Sequence, residues 1–573
     1  MIIPMSHKNY ADEIHKSVRA FLRMAEREKQ PFTEDWGTFQ RYYENRHWRD
    51  KDARRDKMTA NYITPAILND VYLLMDNRPR PQVISRSFEV EVMAWVMQEL
   101  VNHKLDEGDF ESSLTKALVW MNVLTRGIIK DGYDSQARKM FTRAVNPNNL
   151  MADPFAEHID KAAYVVERYP MFIEDAVDKW PDHAKDLKPD AQMSEILSNS
   201  KGEDDGSGDF KIIYQIDKAN YGKGDGRSSS ESWVDSDRVW INEIWTKDPI
   251  SYPNWRLTYY ACDKVLEDTH NPLMHKDCPY SDIPNFEMDR FWTLSTVDFL
   301  LSIQRKMNRN KTMISDTIDA MGNPKIIADI SSIQGKLTNQ PGAIIFKKPG
   351  SEVRFEPGTP IPPQYFQAVE GYKGDIAYIL SQFDPVRGKG GGGVRSWGAV
   401  EALQDASLGR IRGKGVSLYR MIQRIAFHML FNIQQYDTEP YPFRIMRPDG
   451  TYTYIDYKPE YSKYQYEVLI GTAPAMPISR TARSNLALQL FAMHGIDQEE
   501  MLKSIDWPNR QEVLMRMRQQ QMQQMMMSGM QGGGSPGIGS PGSQRPAAGA
   551  ALKGGRSNLP LMKLQRQAFP MQM

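Results

Sequence analysis

Cysteine is nearly absent from this chain, with two in 573 residues. A disulfide framework is thereby excluded, and a reducing compartment is favoured. Long apolar runs are missing as well. None approaches the roughly 18 residues that cross a bilayer. The opening Met1-Ile2-Ile3-Pro4-Met5 is too short an apolar stretch for a signal peptide. An excess of one charge is lacking too, since 72 Lys+Arg face 72 Asp+Glu. A chain balanced in this way is not built to coat itself in nucleic acid. Phosphate-cradle chemistry is equally scarce. Gly-Lys pairs stand at 222–223, 335–336, 388–389 and 413–414, and none continues into the Ser or Thr whose hydroxyl holds magnesium. Hydrolysis of ATP by this chain is not expected. No His-Glu-x-x-His zinc motif appears either.

What is present describes a large soluble protein. Hydrophobic residues make up 40%, charged residues 25%, and the mean hydropathy is −0.57, values of a globular rather than a disordered or membrane chain. The length allows about four domain-sized units. Charge is unevenly spread along it. From Pro508 to Met573 eight basic residues meet one acid, Glu512, a net of +7, so residues 1–507 carry −7. Gly529 to Gly555 is rich in Gly, Pro, Ser and Ala and cannot bury enough apolar surface to offset its ordering entropy. The segment reads as a flexible basic tail, either simply solvated or an arm that meets DNA or an inner shell.

Hydrophobic periodicity orders the rest into an α+β chain. Residues 1–140 read mainly as helices, with apolar spacing of three and four over Thr59 to Met75, Ala94 to Leu105 and Leu114 to Ile129. Strands are expected at Ala163 to Tyr169, Lys211 to Asp217, Arg238 to Lys247 and Trp255 to Leu266, forming an antiparallel sheet, with a helix from Ile173 to Trp180. Phe291 to Met321 is a long helical pattern that stops at Gly322-Asn323-Pro324. Short strands and turns follow over Lys325 to Pro357, then a second helix over Gln364 to Phe383 and the glycine run Arg387 to Arg395. Trp397 to Tyr436 then forms a helix of about 60 Å. Its apolar seam is Leu418, Ile422, Ile425, Met429 and Ile433. A small β region (Phe443 to Ile470) and C-terminal helices (Arg480 to Gln524) complete the pattern.

Site chemistry is sparse. Cys262, His270, His275 and Cys278 are competent zinc ligands, but the paired spacing of structural sites is missing. No bound metal or other cofactor is expected. Glu203, Asp204 and Asp205 sit in a Gly/Ser loop and read as solvated surface. Basic and aromatic residues interleave at Phe39, Arg41, Tyr42, Tyr43, Arg46, Trp48 and Arg49. Such a pattern can stack nucleic acid or pack at a helix surface or subunit interface. The long helices have basic polar faces: Arg305, Lys306, Arg309 and Lys311 on the first, Arg410, Arg412, Lys414, Arg420 and Arg424 on the last. A helix as long as 397–436 asks for a partner of similar length, from the same chain or from an identical neighbour.

The order of helix, small β module, helix, cation-flanked glycine loop and very long helix resembles the portal protein of tailed bacteriophages. The match runs from about Asp289 to Tyr436, and Asn149-Leu-Met-Ala-Asp153-Pro154 through Ala162 to Val166 looks like that family's wing. The stretch Ser396-Trp397-Gly398-Ala399 is similar to the family's Ser-Gly helix opening, with Trp397 as a departure. The resemblance implies a portal-like subunit. Its wing is 1–288, the first stem helix 289–322, the clip 323–362, the second stem helix 363–384 and the tunnel loop 385–396. The long wing helix is 397–436, the β return 437–475, the helical crown 476–528 and the tail 529–573.

Function follows as expectation from the same resemblance. A closed homo-oligomeric ring, usually of twelve copies, would sit at one capsid vertex of the virion, assembled in the host cytoplasm, and pass double-stranded DNA without sequence readout in packaging and ejection. Arg387, Lys389 and Arg395 would meet DNA from the tunnel loop, with Arg305, Lys306, Arg309 and Lys311 lining the channel from the stem. Lys325, Lys336, Lys347 and Lys348 are candidates to face the terminase large subunit at the clip. Leu418, Ile422, Ile425 and Met429 are candidates for the ring interface. Capsid or scaffolding protein and a tail adaptor would be further partners, with no membrane and no catalytic residue. A metal-dependent nucleic-acid enzyme, or another virion connector or assembly protein, are the alternative readings.

Overall fold

Apolar spacing of three and four does carry the chain up to Leu124 mainly into helices. The computed structural model describes residues 10–48, 57–76, 81–85, 90–189, 238–248, 252–322, 325–328, 333–334, 346–347, 349, 353–356, 360–380, 409–446, 452–470, 480–493, 495–505, 513 and 516–517. The chain divides into two units, residues 1–507 and 508–573, and every element named below lies in the first. Helices α1 (Tyr10–Thr33), α2 (Trp36–Tyr43), α3 (Ile63–Asp76), α4 (Glu91–Glu107) and α5 (Phe110–Leu124) come first, with strand β1 (Pro81–Ser85) between α3 and α4. Lys29 pins α1. Its ammonium lies 5.5 Å from the ring centres of both Trp36 and Trp292 and donates to the carbonyls of Pro147 and Asn148 at 2.8 and 2.6 Å. Burial pulls its pKa down to about 7, with Glu26 opposing.

Helix α5 ends five residues earlier than its periodicity suggests. Thr125 takes a left-handed φ of 75°, and Arg126–Asp134 becomes strand β2. The cause is tertiary. β2 is the middle strand of a three-stranded antiparallel sheet, between β3 (Lys139–Ala144) and β9 (Tyr280–Pro284). It crosses α5 so closely that a Cβ on Gly127 would collide with the Ala117 carbonyl.

A second, five-stranded antiparallel sheet is formed in sequence order by β4 (Leu150–Ala152), β5 (Tyr164–Phe172), β6 (Arg238–Asp248), β7 (Tyr252–Ala261) and β8 (Lys264–His270). Trp255 to Leu266, read from sequence as one strand, is two. Cys262 and Asp263 turn the chain with φ of 45° and 59°, a turn that contains no glycine or proline to announce it. Helix α6 (Ile173–Lys179) follows β5. The expected strand Lys211 to Asp217 lies outside the described residues.

The second half is built on α7 (Thr296–Gly322), α8 (Pro363–Leu380) and α9 (Gly409–Tyr436). Between α7 and α8, β10 (Lys325–Ala328) pairs with β13 (Val353–Glu356), and β11 (Ile333–Gln334) with β12 (Phe346–Lys347), all antiparallel. After α9 come the hairpin β14 (Tyr441–Met446) and β15 (Tyr452–Tyr457), then β16 (Tyr466–Ile470), α10 (Arg480–Ala492) and α11 (Gln498–Ser504). β16 pairs with β1, joining segments far apart in the chain. Local pattern gave no sign of it.

The 28 residues of α9 span about 42 Å; 397–408, the rest of the helix expected there, lies outside the described residues. Its seam is covered by the chain itself. Leu418, Ile422, Ile425 and Met429 are each at most 1% exposed, packed among α3, α4, β2, β9 and β16. Their expected role as a ring interface is corrected accordingly: each stabilises the subunit by about 1.5–3 kcal/mol of burial and presents nothing to a neighbour. The stem pair is the opposite case. Buried residues of α7 stop at Thr312, and Met313, Ile318 and Met321 are exposed beyond it, as are Phe366 and Tyr378 on α8.

Candidate functional site

The cations singled out from the sequence fall into three groups. Arg387, Lys389 and Arg395, together with Lys336 and Lys348, lie outside the described residues; Lys325 and Lys347 are on β10 and β12. On α7, Arg305, Lys306 and Arg309 are exposed and Lys311 is half-buried. The Lys311 ammonium stands 5.5 Å from the Tyr62 ring centre, and the Arg305 guanidinium 5.7 Å from that of Tyr42. The polar face of α9, by contrast, is engaged within the subunit. Lys414 is buried, paired with Asp70 at 2.6 Å and donating to Asn122 at 2.9 Å. Arg424 pairs with Asp277 at 3.0 Å, and Arg420 reaches His158 at 2.6 Å.

Cys262, His270, His275 and Cys278 do not converge. Cys262 Sγ exchanges contacts with the Lys188 backbone at 3.3 and 3.4 Å, while burial pushes the Cys278 thiol well up. His275 instead stacks on His428 of α9, ring centres 4.3 Å apart and planes within 17°. His428 Nδ1 is 2.9 Å from Asp131 on β2, and its Nε2 is 3.5 Å from Asp277. Asp131, His275 and His428 form the one cluster of possible metal ligands among the described residues. Their geometry suits a proton better than a metal. Ring lone pairs lie in the ring planes, so two stacked imidazoles aim them in parallel rather than at one point. The Asp277 N–H donates to His275 Nδ1 at 3.1 Å, which leaves the other nitrogen of a neutral ring as the N–H.

Burial depresses the His428 imidazolium, but the Asp131 carboxylate and then Asp277 outweigh it and hold its pKa above the ordinary value. Burial and the charge on His428 together push His275 down to about 2. The cluster thus favours an imidazolium at His428, held between the carboxylates of Asp131 and Asp277 and stacked on the neutral His275 ring, with Arg424 alongside. A raised folded-state pKa binds protons that the unfolded chain releases. The stabilisation is thus complete below about 6.5 and is lost as pH climbs through the raised value. Thermal midpoints of the native chain and His428→Gln should converge as pH rises from 6 to 9, the native chain losing at most about 1.4 kcal/mol per pH unit. A gap that stays constant or widens would show that His428 is neutral.

A second buried polar cluster joins the two sheets. Across β5 and β6, Glu167 lies directly opposite Glu243; across β2 and β3, Lys130 lies opposite Arg143, and across β2 and β9 opposite Tyr280. Like charges facing each other in one sheet repel. Here each pair is answered by the other sheet. Lys130 Nζ is 2.6 Å from Glu243 and 3.4 Å from Glu167, and Arg143 is 2.7 Å from Glu167. The Tyr280 hydroxyl donates to Glu167 at 2.7 Å and Glu243 at 3.1 Å, and the Trp245 indole donates to Glu243 at 2.9 Å. Burial opposes ionisation of Glu243, but Lys130 overrides it and keeps the carboxyl below its usual range. The same carboxylates, added to burial, drive the Tyr280 hydroxyl well up.

None of these clusters was singled out from the sequence. The available signal was a charge interrupting an apolar run, as in Ile128-Ile129-Lys130-Asp131, Val165-Val166-Glu167 and Glu243-Ile244-Trp245. Buried charges come paired, so each break announced a partner without naming it.

A sequence model of the phage P22-like portal protein family matches residues 34–535, most of the chain. No curated protein matches. Among solved structures, a chain in the virion of a native gene transfer agent particle is 9% identical, the alignment covering 83% of this chain and 94% of that one at a TM-score of 0.36. A chain in the neck of the empty particle, computed with C6 symmetry, is likewise 9% identical over the same shares, at a TM-score of 0.34.

Proposed function

Because the chain belongs to the phage P22-like portal protein family, a structural and non-enzymatic component of the virion, we propose that it assembles into a ring at one capsid vertex and conducts double-stranded DNA in both packaging and ejection. The family match over residues 34–535 carries this reading. A ring needs a heterologous contact that closes on itself. The exposed apolar residues of the stem, Met313, Ile318 and Met321 on α7 with Phe366 and Tyr378 on α8, suit such a contact, in place of the α9 seam. Twelve subunits are expected, with capsid or scaffolding protein and a tail adaptor as neighbours. The terminase large subunit would dock on the β module, near Lys325, Lys336, Lys347 and Lys348. Electron microscopy of the purified 65.8 kDa chain should show closed rings with a central hole. Particles that stay monomeric at high concentration would overturn the ring.

A channel must touch a polyanion without gripping it. Each engaged phosphate steepens the salt dependence of binding by about 0.9 in log–log slope, so a lining dense in lysine would hold DNA still. Arg387, Lys389 and Arg395 flank a glycine run and would contact phosphates only, without base readout. Arg305, Lys306, Arg309 and Lys311 would add stem contacts. Replacing Arg387, Lys389 and Arg395 together by Ala should leave ring assembly intact and impair packaging or genome retention. Packaged-genome length and retention equal to the native particle would remove the loop from the mechanism.

A further inference from the structure

Arg305 and Arg309, one turn apart on α7, border a groove of about 470 Å³ whose other wall is Tyr42 of α2 together with His47, Trp48 and Lys57. Asn308, Thr312 and Met313 complete its lining, and among the described residues no carboxylate contributes to it. The floor is fixed by hydrogen bonds. Asn308 reaches His47 Nδ1 at 2.6 Å while His47 Nε2 donates to the Tyr42 carbonyl at 3.0 Å. Thr312 accepts from the Met58 N–H at 3.0 Å, and the Trp48 indole donates to Thr59 at 3.1 Å. Stacking surface is already taken. His47 lies on Tyr42 with ring centres 4.5 Å apart, Arg305 sits beside the same ring, and the Lys57 ammonium stands 5.5 Å from the Trp48 ring centre. The groove therefore offers charge rather than a platform for bases. Among the described residues neither Arg305 nor Arg309 has an ion-pair partner. Two like charges at this spacing on a helix repel, a cost that an anion between them would remove.

We infer that this groove is a binding site for phosphoryl oxygens. Planar guanidinium forks match the oxygens of a phosphate in pairs, and the Lys57 ammonium adds a third positive charge from the opposite wall. The phosphoryl group can come from a DNA backbone or from a free phosphoanion. The DNA source rests on the function proposed above; the site itself rests on the groove.

Arginine footprinting on the full-length protein separates the possibilities. Phenylglyoxal adducts at Arg305 and Arg309 are followed by peptide mass spectrometry, alone and with a short DNA duplex, with pyrophosphate, or with poly-glutamate. Both arginines should react readily in the free protein, and duplex or pyrophosphate should slow them about fivefold or more, with poly-glutamate much weaker. Protection by the duplex alone assigns the groove to a DNA backbone, and protection by pyrophosphate assigns it to a free phosphoanion. Equal protection by poly-glutamate, protection by no anion, or arginines already unreactive in the free protein would overturn the inference. Arg305→Gln with Arg309→Gln should lower the log–log salt slope of duplex binding by about 2 while the ring still forms. Failure of ring assembly in the native chain counts against the portal mechanism and leaves this test standing.

Discussion

Asp282→Leu is expected to destabilise the subunit by about 3–5 kcal/mol, the range for a buried ion pair deprived of one partner. Arg126, at the start of β2, is completely buried and paired with Asp282 of β9. Its guanidinium lies 4.1 Å from the Phe291 ring centre, and among the described residues its Nε and Nη2 have no hydrogen-bond partner. Asp282 also accepts from the Ile159 N–H at 3.0 Å and meets His158 Nδ1 at 3.1 Å. Burial alone would raise its pKa, but Arg126 and then His158 hold it far below the carboxylate range. Removing that charge strands a guanidinium in the core. Thermal unfolding of Asp282→Leu and of Arg126→Met with Asp282→Leu provides the check. The double variant should be clearly the more stable of the two, because no ion remains unpaired. A single variant within about 1 kcal/mol of the native chain, the range of a solvent-exposed pair, would mean that water reaches Arg126.

Lys130→Met should cost a similar amount, again about 3–5 kcal/mol, for a different reason. The substitution leaves Glu167 and Glu243 opposite one another, with Arg143 bonded to Glu167 and Lys179 acting on Glu243 through charge alone. Two outcomes are available to the protein: one carboxyl takes up a proton, or the two sheets part. Proton uptake predicts that Lys130→Met is least stable at high pH and recovers on acidification. Lys130→Met combined with Glu243→Leu should regain most of the loss. Were the two substitutions simply additive, Lys130 and Glu243 would not be acting as a pair.

How much of this could be read beforehand depends on the range of the interaction. Helix α7 was legible because its apolar spacing is long and Gly322-Asn323-Pro324 marks its end. α9 was legible as a helix for the same reason, and yet its seam was assigned to the wrong partner. A row such as Leu418, Ile422, Ile425 and Met429 shows that a face will be covered and is silent on what covers it. Here β1, β2, β9 and β16 come from both sides of the chain to do so. The end of α5 was missed because Leu114 to Ile129 has helical spacing throughout, and only the pairing of β2 with two other strands overrides it. The Cys262-Asp263 turn was missed because left-handed backbone at non-glycine residues leaves no mark in composition. Of the basic residues, Arg305 and Arg309 were picked out for their charge. Their association with Tyr42, His47 and Trp48 spans some 260 residues of chain and could not be seen from spacing.

The answering of each sheet's like charges by the other bears on how the chain is made. Strand β9 leaves the ribosome last among those that build the Lys130–Glu243 junction, and it brings both Tyr280 and the Asp282 that neutralises Arg126. Until residue 284 is free of the exit tunnel, the earlier strands hold Arg126 without its carboxylate. The two sheets should therefore close over one another late in synthesis and in a single step, and a nascent polypeptide halted before Tyr280 should stay open to protease.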